Sequence, residues 1–287
     1  MKVLVSVLTV LSVIVVLWYA AAVWLNAQWT YDQAGRAGVE VSFSEVVADT
    51  LAQDRPVLPA PHQVAAGLWD GLFGQKVTSK RSLVYHGWIT LSATLLGFAI
   101  GTGAGILLAV GIVHNRAMDM SVMPWAIASQ TIPILAIAPM VIVVLASMGV
   151  TGILPKAVIS AYLSFFPVVV GMVKGLRSPD QMQLDQLRTY SASRAQTFWK
   201  LRLPASMPYL FASFKVSVAA SLVGAIVGEL PAGAAGGLGA RLLSGSYYGQ
   251  TIQIWAALFT AAILAAGLVM IIGAIEKGTL RRMGMGR

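Results

Sequence analysis

The stretch Ser178–Pro208, SPDQMQLDQLRTYSASRAQTFWKLRLPASMP, is polar and charged, yet it lies between two apolar runs. Ser178, Pro179 and Gln181 read as a helix start, with Ser178 as N-cap, Pro179 at the first helical position and Asp180 in the first turn. Leu184, Leu187 and Tyr190 then share one face, with Asp185, Gln186 and Arg188 off it. A second start follows at Ser193, with Gln196 three residues on, and the helix carrying Phe198 and Leu201 is expected to stop near Pro204. The sequence therefore predicts two short amphipathic helices bent at Ser191-Ala192. Held between membrane spans, they must cover their apolar faces with the chain itself, a partner or the membrane surface.

Composition sets the setting of that loop. The 287 residues are 57% hydrophobic and 11% charged, against about 25% charged in a soluble domain, and the mean hydropathy is +0.76. This is a polytopic membrane protein. The net charge of +9 is read by its distribution, not as a nucleic-acid footprint, because no basic patch is interleaved with aromatic residues. Thirteen of the 20 Lys and Arg residues fall in segments 1–2, 114–121, 174–215 and 276–287. That bias puts both termini and the organising loop on the cytoplasmic side.

Working outward, residues 1–25 predict an N-terminal span, with Trp18, Tyr19 and Trp24 as an interfacial belt. A cleaved signal peptide is the alternative, with Ala20-Ala21-Ala22 as its site. Residues 26–82 read as a long outer loop, irregular around Pro56, Pro59 and Pro61, with a short amphipathic helix over 64–73. Residues 83–287 hold five further spans, at 83–113, 122–147, 153–176, 209–230 and 252–275. Gly97, Gly101 and Gly105 form a face suited to close helix packing. His114–Ser121 reads as a short turn. The third span is interrupted by Pro124, Pro133 and Pro139, which is tolerated where freed carbonyls are covered by protein or line a wet cavity. Lys156, near a span end, is expected to snorkel to the interface.

The loop resembles the EAA loop of permease subunits of bacterial ABC importers. That pattern is Glu-Ala-Ala, three residues, Gly, nine residues, Ile, one residue, Leu-Pro. Asp185-Gln186-Leu187, Ser191, Leu201 and Leu203-Pro204 keep its spacing, with Asp for Glu, Gln-Leu for Ala-Ala, Ser for Gly and Leu for Ile. Ser191-Ala192-Ser193-Arg194 and Leu203–Tyr209 resemble the branch containing nitrate, sulfonate, taurine and bicarbonate permeases. Gln130–Met140 resembles that family's proline-containing third span. Leu58–Val64 resembles the segment following its first span, so that roughly 28–57 reads as an insertion. Glu229 with Gly236-Gly237-Leu238-Gly239 resembles its acidic residue followed by Gly-Leu-Gly.

The resemblance implies an all-α fold of six transmembrane helices, with a type I importer core of five spans plus an N-terminal one. It implies a second permease subunit (a copy or a paralogue), an ABC ATPase dimer docked on the loop, and a periplasmic or surface solute-binding protein. The docking residues it points to are Leu184, Asp185, Leu187, Arg188, Ser191, Ala192, Ser193, Arg194, Leu203 and Pro204. Gln130, Thr131, Pro133, Pro139 and Glu229 are candidates for the translocation path. For Gln130 and Thr131 the alternative is hydrogen bonding between helices; for Glu229 it is capping the Gly-rich turn.

Enzyme chemistry has no foothold. There is no Cys, no Gly-x4-Gly-Lys-Ser/Thr phosphate loop, no His-Glu-x-x-His and no Gly-x-Ser-x-Gly. The three histidines are scattered, so no metal site, cofactor or catalytic residue is expected, and any ATP is bound by another chain. The reading is a transport subunit in the inner (plasma) membrane. A secondary transporter driven by an ion gradient is the alternative.

Overall fold

In hydrocarbon every backbone polar group must be satisfied within the chain, and long apolar runs meet that demand as helices. A computed structural model describes residues 2–231 and 236–285, and these are helices and turns without a strand among the described residues. Residues 232–235, which include Gly233 of the Gly-rich loop, and Arg287 of the basic tail lie outside the described residues. Among the described residues five helices are long and apolar enough to cross a membrane, and six crossings result if one bent helix pair counts as a single span. The chain divides into two compact units, Met1–His86 with Arg241–Thr260 and Gly87–Ala240 with Ala261–Arg287.

The first unit is more regular than its sequence suggests. Helix α1 runs Lys2–Ala37, well past residue 25, because Ala27, Gln28, Gln33, Ala34 and Arg36 are good helix formers that propagate a helix once nucleated. Helix α2, Phe43–Ala52, starts in a capping box between Ser42 and Glu45. The Ser42 backbone N–H and hydroxyl hold the Glu45 carboxyl below the usual carboxylate range. The two helices pair through polar contacts, in which Thr30 donates to Asp49 (2.6 Å) and Gln53 to Thr30 (3.2 Å). Fully buried Asn26 then fixes the irregular segment, accepting from Val57 N (2.7 Å) and donating to the Leu58 carbonyl (2.9 Å). Helix α3, Pro61–Trp69, carries Pro at its first position, as the fixed φ of Pro favours. It continues into a π turn, Asp70–Gly74. Residues 26–82 thus hold a helical hairpin, a pinned segment and a further helix.

The second unit is built around three helices: α4 (Leu83–His114, from Gly87 onward), α7 (Ile153–Leu176) and α10 (Leu203–Glu229). Small residues let them approach closely. A Cβ added at Gly224 on α10 would lie 2.6 Å from Ser160 Cα on α7, and one at Gly175 on α7 would lie 2.9 Å from Ser206 Cα on α10. On α4 the Gly97, Gly101 and Gly105 face meets α7 at Ala157, Ala161 and Val168. The hydroxyls between them are used: Ser160 donates to the Ser221 carbonyl (2.7 Å), and Ser221 to the Thr94 carbonyl (2.8 Å). Ala109, Ile112, Val168, Val169, Met172, Val173, Leu176 and Leu210 form the apolar core beyond these contacts.

Between α4 and α7 the expected third span is two helices, α5 (Arg116–Ser129) and α6 (Ile134–Ser147), bent by 99°. The break falls at Pro133, while Pro124 and Pro139 sit inside helices. The region 114–121 is mostly the first turns of α5, started by Asn115, whose side chain accepts from Ala117 N and Met118 N. Tyr162 of α7 donates to the Ser129 carbonyl, covering a group freed at the break.

The close approach makes a direct prediction. Gly101→Leu places carbon against the Ala161 backbone, where a Cβ alone would sit 2.8 Å from the carbonyl oxygen. Overpacking of this kind costs about 1–3 kcal/mol or more, so the variant should melt lower in detergent and give less protein. An unchanged melting temperature would show that α4 does not pack on α7 through this face.

Candidate functional site

The loop that decides the sequence reading joins the C-terminal end of α7 to the N-terminal end of α10. Helix α8 is Gln181–Thr189. Its N-cap is Asp180, not Ser178: Asp180 accepts from Gln181 N, and Gln183 reaches back to the Asp180 N–H. Ser178 instead turns back to the Gly175 carbonyl (2.8 Å) at the end of α7. At the other end of α8, Ala192 N donates to the Leu187 carbonyl and Ser191 N to that of Arg188, the paired bonds of a Schellman motif. Such a motif needs a left-handed residue, usually Gly. Here Ser191 takes it at φ 53°, the one described non-glycine residue with positive φ.

Helix α9, Arg194–Thr197, begins with the expected capping box between Ser193 and Gln196. It does not stop at Pro204. It passes through a π turn, Phe198–Arg202, directly into α10, with Leu203 N bonded to the Phe198 carbonyl. Widening the turn by one residue leaves room for the Pro204 ring and uses no N–H at that position. The chain is therefore helical from the second capped helix into the span.

The loop's base is fixed to the rest of the unit. Arg202 donates to the Leu176 carbonyl (3.0 Å) at the end of α7, and Arg177 pairs with Asp119 of α5 at 2.7 Å. Phe198, Leu203 and Met207 pack against the apolar core. Leu184 and Leu187 are half-buried. The opposite face, carrying Met182, Gln186 and Thr189, is exposed, and Met182 is 79% and Tyr190 72% accessible. Asp185 and Arg188 pair with each other at 2.9 Å on the surface, where such a pair contributes little.

A second polar cluster sits at the other ends of α7 and α10. Glu229 is fully buried. It accepts from Thr90 Oγ1 of α4 (2.9 Å) and from Gly239 N (3.0 Å), and Lys156 Nζ of α7 lies 3.8 Å away. Lys156 also donates to the Gly236 carbonyl (3.0 Å), and Thr90 Oγ1 accepts from Leu238 N (2.9 Å). Lys156 does not snorkel: it is buried and bonded inward. Gly237 has φ 120° and lies so close to the Glu229 carboxylate that a side chain would collide with it. The carboxylate thus holds the start of α11 (Leu238–Tyr247) onto the end of α10.

Comparison with known proteins now bears on the whole arrangement. Residues 101–284 match the family model described as "Binding-protein-dependent transport system inner membrane component". The chain belongs to that family. It is an ABC importer permease subunit. It is similar to the riboflavin transport system permease protein RibX of Chloroflexus aurantiacus, at 30% identity over 78% of this chain and 80% of the relative. It is also similar to the putative aliphatic sulfonates transport permease protein SsuC of Bacillus subtilis, at 24% identity over 79% and 78% of the two chains. A chain of the inward-facing MetNI methionine ABC transporter shares its fold, with a TM-score of 0.52, 23% identity, and coverage of 71% of this chain and 96% of that one.

In this permease, Asp185, Arg188, Ser191, Ser193 and Arg194 are exposed on one loop, while Leu184, Leu187, Ala192, Leu203 and Pro204 are half-buried. The candidate path residues do not form one cluster. Thr131, Pro133 and Pro139 are exposed, Gln130 is half-buried, and Thr131 bonds only to the Ala128 carbonyl of its own helix end (2.8 Å). Glu229 lies with Thr90 and Lys156. Sequence reasoning missed Thr90 and the Lys156 pairing. The available signal was that Lys156 and Glu229 each fall at the end of a predicted span.

Removing one partner of a buried pair strands the other at a cost of about 3–5 kcal/mol. Glu229→Gln and Lys156→Met should each destabilise the permease strongly. The double variant should recover much of the loss, as a double-mutant cycle on thermal unfolding would read. Additive losses would mean that the two charges are not coupled.

Proposed function

We propose that this permease forms the translocation path for a small solute in an ATP-driven importer, delivered by an external binding protein. Two permease subunits, copies or paralogues, enclose the path, and two ABC ATPase subunits dock on residues 178–208. The loop and both termini then face the cytoplasm, as the Lys and Arg distribution favours. The coupled core begins near residue 83, and the hairpin around 28–57 is an addition to it. ATP hydrolysis belongs to the partner chain.

The observation that carries this reading is the exposed face of α8, with Met182 and Tyr190 open to solvent on a loop whose base is pinned to the core. A large apolar side chain on a polar, capped helix needs a partner groove. That face refines the docking set: Met182, Gln186, Thr189 and Tyr190 meet the ATPase, with Asp185, Arg188 and Arg194 at the rim, while Leu184 and Leu187 support the helix from beneath. Ser191 sets the bend by taking the conformation that the EAA pattern gives to Gly.

Burying a side chain of this size contributes about 1.5–3 kcal/mol, so Met182→Asp should weaken ATPase docking by one to two orders of magnitude. The variant should insert normally, lose the ATPase on co-purification and lose ATP-dependent uptake in proteoliposomes. Uptake that persists and follows a proton or sodium gradient would overturn the ATP-driven reading.

A further inference from the structure

We propose that α3 and its π turn form an interfacial anchor, which seats Trp69 and Phe73 among acyl chains and brings Lys76, Lys80 and Arg81 onto the phosphates of anionic phospholipid. All five residues lie in the first structural unit. Trp69 and Phe73 are each 68% accessible, with ring centroids 4.6 Å apart. They form one exposed aromatic surface, continued on the helix by exposed Ala65 and Ala66. The opposite face, Val64, Gly67 and Gly71, is packed against the protein.

Three contacts set the depth of that surface. At the start of α3, Trp18 of α1 donates to the Pro59 carbonyl (3.0 Å), and Tyr19 hydrogen-bonds the His62 ring (3.2 Å). Trp18 precedes Leu25, the last residue of the apolar run, by about 10 Å at 1.5 Å per residue. Helix α3 therefore begins beside the apolar span, not beyond its end. Further along, a Cβ at Gly67 would lie 2.7 Å from Ile252 Cγ2, in the first turn of α12 (Thr251–Arg282). A Cβ at Gly71 would lie 2.5 Å from Leu83 Cδ1, at the first residue of α4. Both are positions where an apolar run enters the membrane. The aromatic pair is thus held at the headgroup–acyl boundary, the level at which Trp rings are enriched.

The segment that follows supplies the charge. Ser79 N donates to the Lys76 carbonyl (2.8 Å), Ser82 N to the Ser79 carbonyl (3.0 Å), and the His86 ring to the Lys80 carbonyl (2.9 Å). This ordered turn presents Lys76, Lys80 and Arg81, all exposed, between the aromatic pair and the entry of α4. None of the ion pairs among the described residues engages them. Asp70, the one acid in the same stretch, accepts from Gln75 Nε2 (3.2 Å). An aromatic face at membrane depth, flanked by unpaired cations, matches an anionic lipid surface: ring burial holds the helix in the interface, and each basic side chain adds attraction to the headgroups. A soluble partner would have to reach the rings within the bilayer.

The test uses the full-length permease in nanodiscs of phosphatidylcholine with and without phosphatidylglycerol. A nitroxide on Ala66→Cys, on the exposed face of α3, should be reached by oxygen more readily than by a water-soluble nickel chelate. The same label on Glu40→Cys, exposed at the tip of the α1–α2 hairpin, should show the reverse. Equal chelate access at the two positions overturns the proposal. So does dipolar coupling between Ala66 labels on two copies, which would make the face a subunit contact, or protection that appears only on adding a solute-binding protein. For the charges, phosphatidylglycerol should raise the parent's melting temperature saturably. Exchanging Lys76, Lys80 and Arg81 together for Gln should weaken that response about tenfold or more, while leaving the melting temperature in phosphatidylcholine alone unchanged, because the three are exposed and unpaired. An undiminished phosphatidylglycerol response in the triple variant overturns the assignment of the cations to lipid phosphate.

Discussion

The close approach of α7 and α10 through small side chains is the constraint on which the rest of the second unit depends. In lipid no hydrophobic force drives two helices together, so packing and interhelical hydrogen bonds must do it. Glycines at 171, 175, 224 and 228 each face the neighbouring helix at a distance that a side chain would fill. The Ser160, Ser221 and Thr94 chain of hydrogen bonds then ties α4 into the same layer. A larger residue at any of these points would separate the helices and strand hydroxyls that now have partners.

Both polar sites are consequences of that packing. At one end, the helices are joined by the α8–α9 loop, whose base is held by Arg202 on the Leu176 carbonyl and by Phe198 and Leu203 in the core. At the other, Lys156 meets Glu229, and the carboxylate fastens the turn at Gly236–Gly239. The second capped helix, α9, runs through the π turn into α10 without a break, and α8 joins it through the tight bend at Ser191. The two sites are thus the ends of one rod about 40 Å long, from the 27 residues of α10 at 1.5 Å each.

Much of this was legible in the residues, and the failures have local causes. The spans at 83–113 and 153–176 and the Ser193 cap follow from apolar length and capping chemistry, and of the three prolines expected to interrupt the third span only Pro133 does, Pro124 and Pro139 lying inside helices. The continuation of α1 to Ala37 was not legible, because the apolar signal ends at the membrane while helix propensity does not. Asp180 took the cap from Ser178 because the side chain of Gln183, three residues on, closes the box with it. Pro204 failed to stop the helix because a π turn precedes it. On α8 the leucine face was identified from periodicity, but periodicity does not say whether that face meets the protein's own surface or a partner. The structure leaves Leu184 and Leu187 half-buried and exposes Met182. The Glu229 cluster draws on residues 90, 156, 229 and 236–239, and no spacing rule joins positions that far apart.

The central claim is that α7 and α10 move as one rigid body between the loop and the Glu229 turn. The chain has no native Cys, so spin labels at Leu154, exposed near the start of α7, and Gln186, exposed on α8, report one distance across that body. Double electron–electron resonance on the permease assembled with its ATPase, with and without ATP, measures it directly. The account predicts one narrow distance that is the same in both states. A nucleotide-dependent shift of a helical turn or more, about 5 Å, would contradict it and place a hinge between the loop and the span.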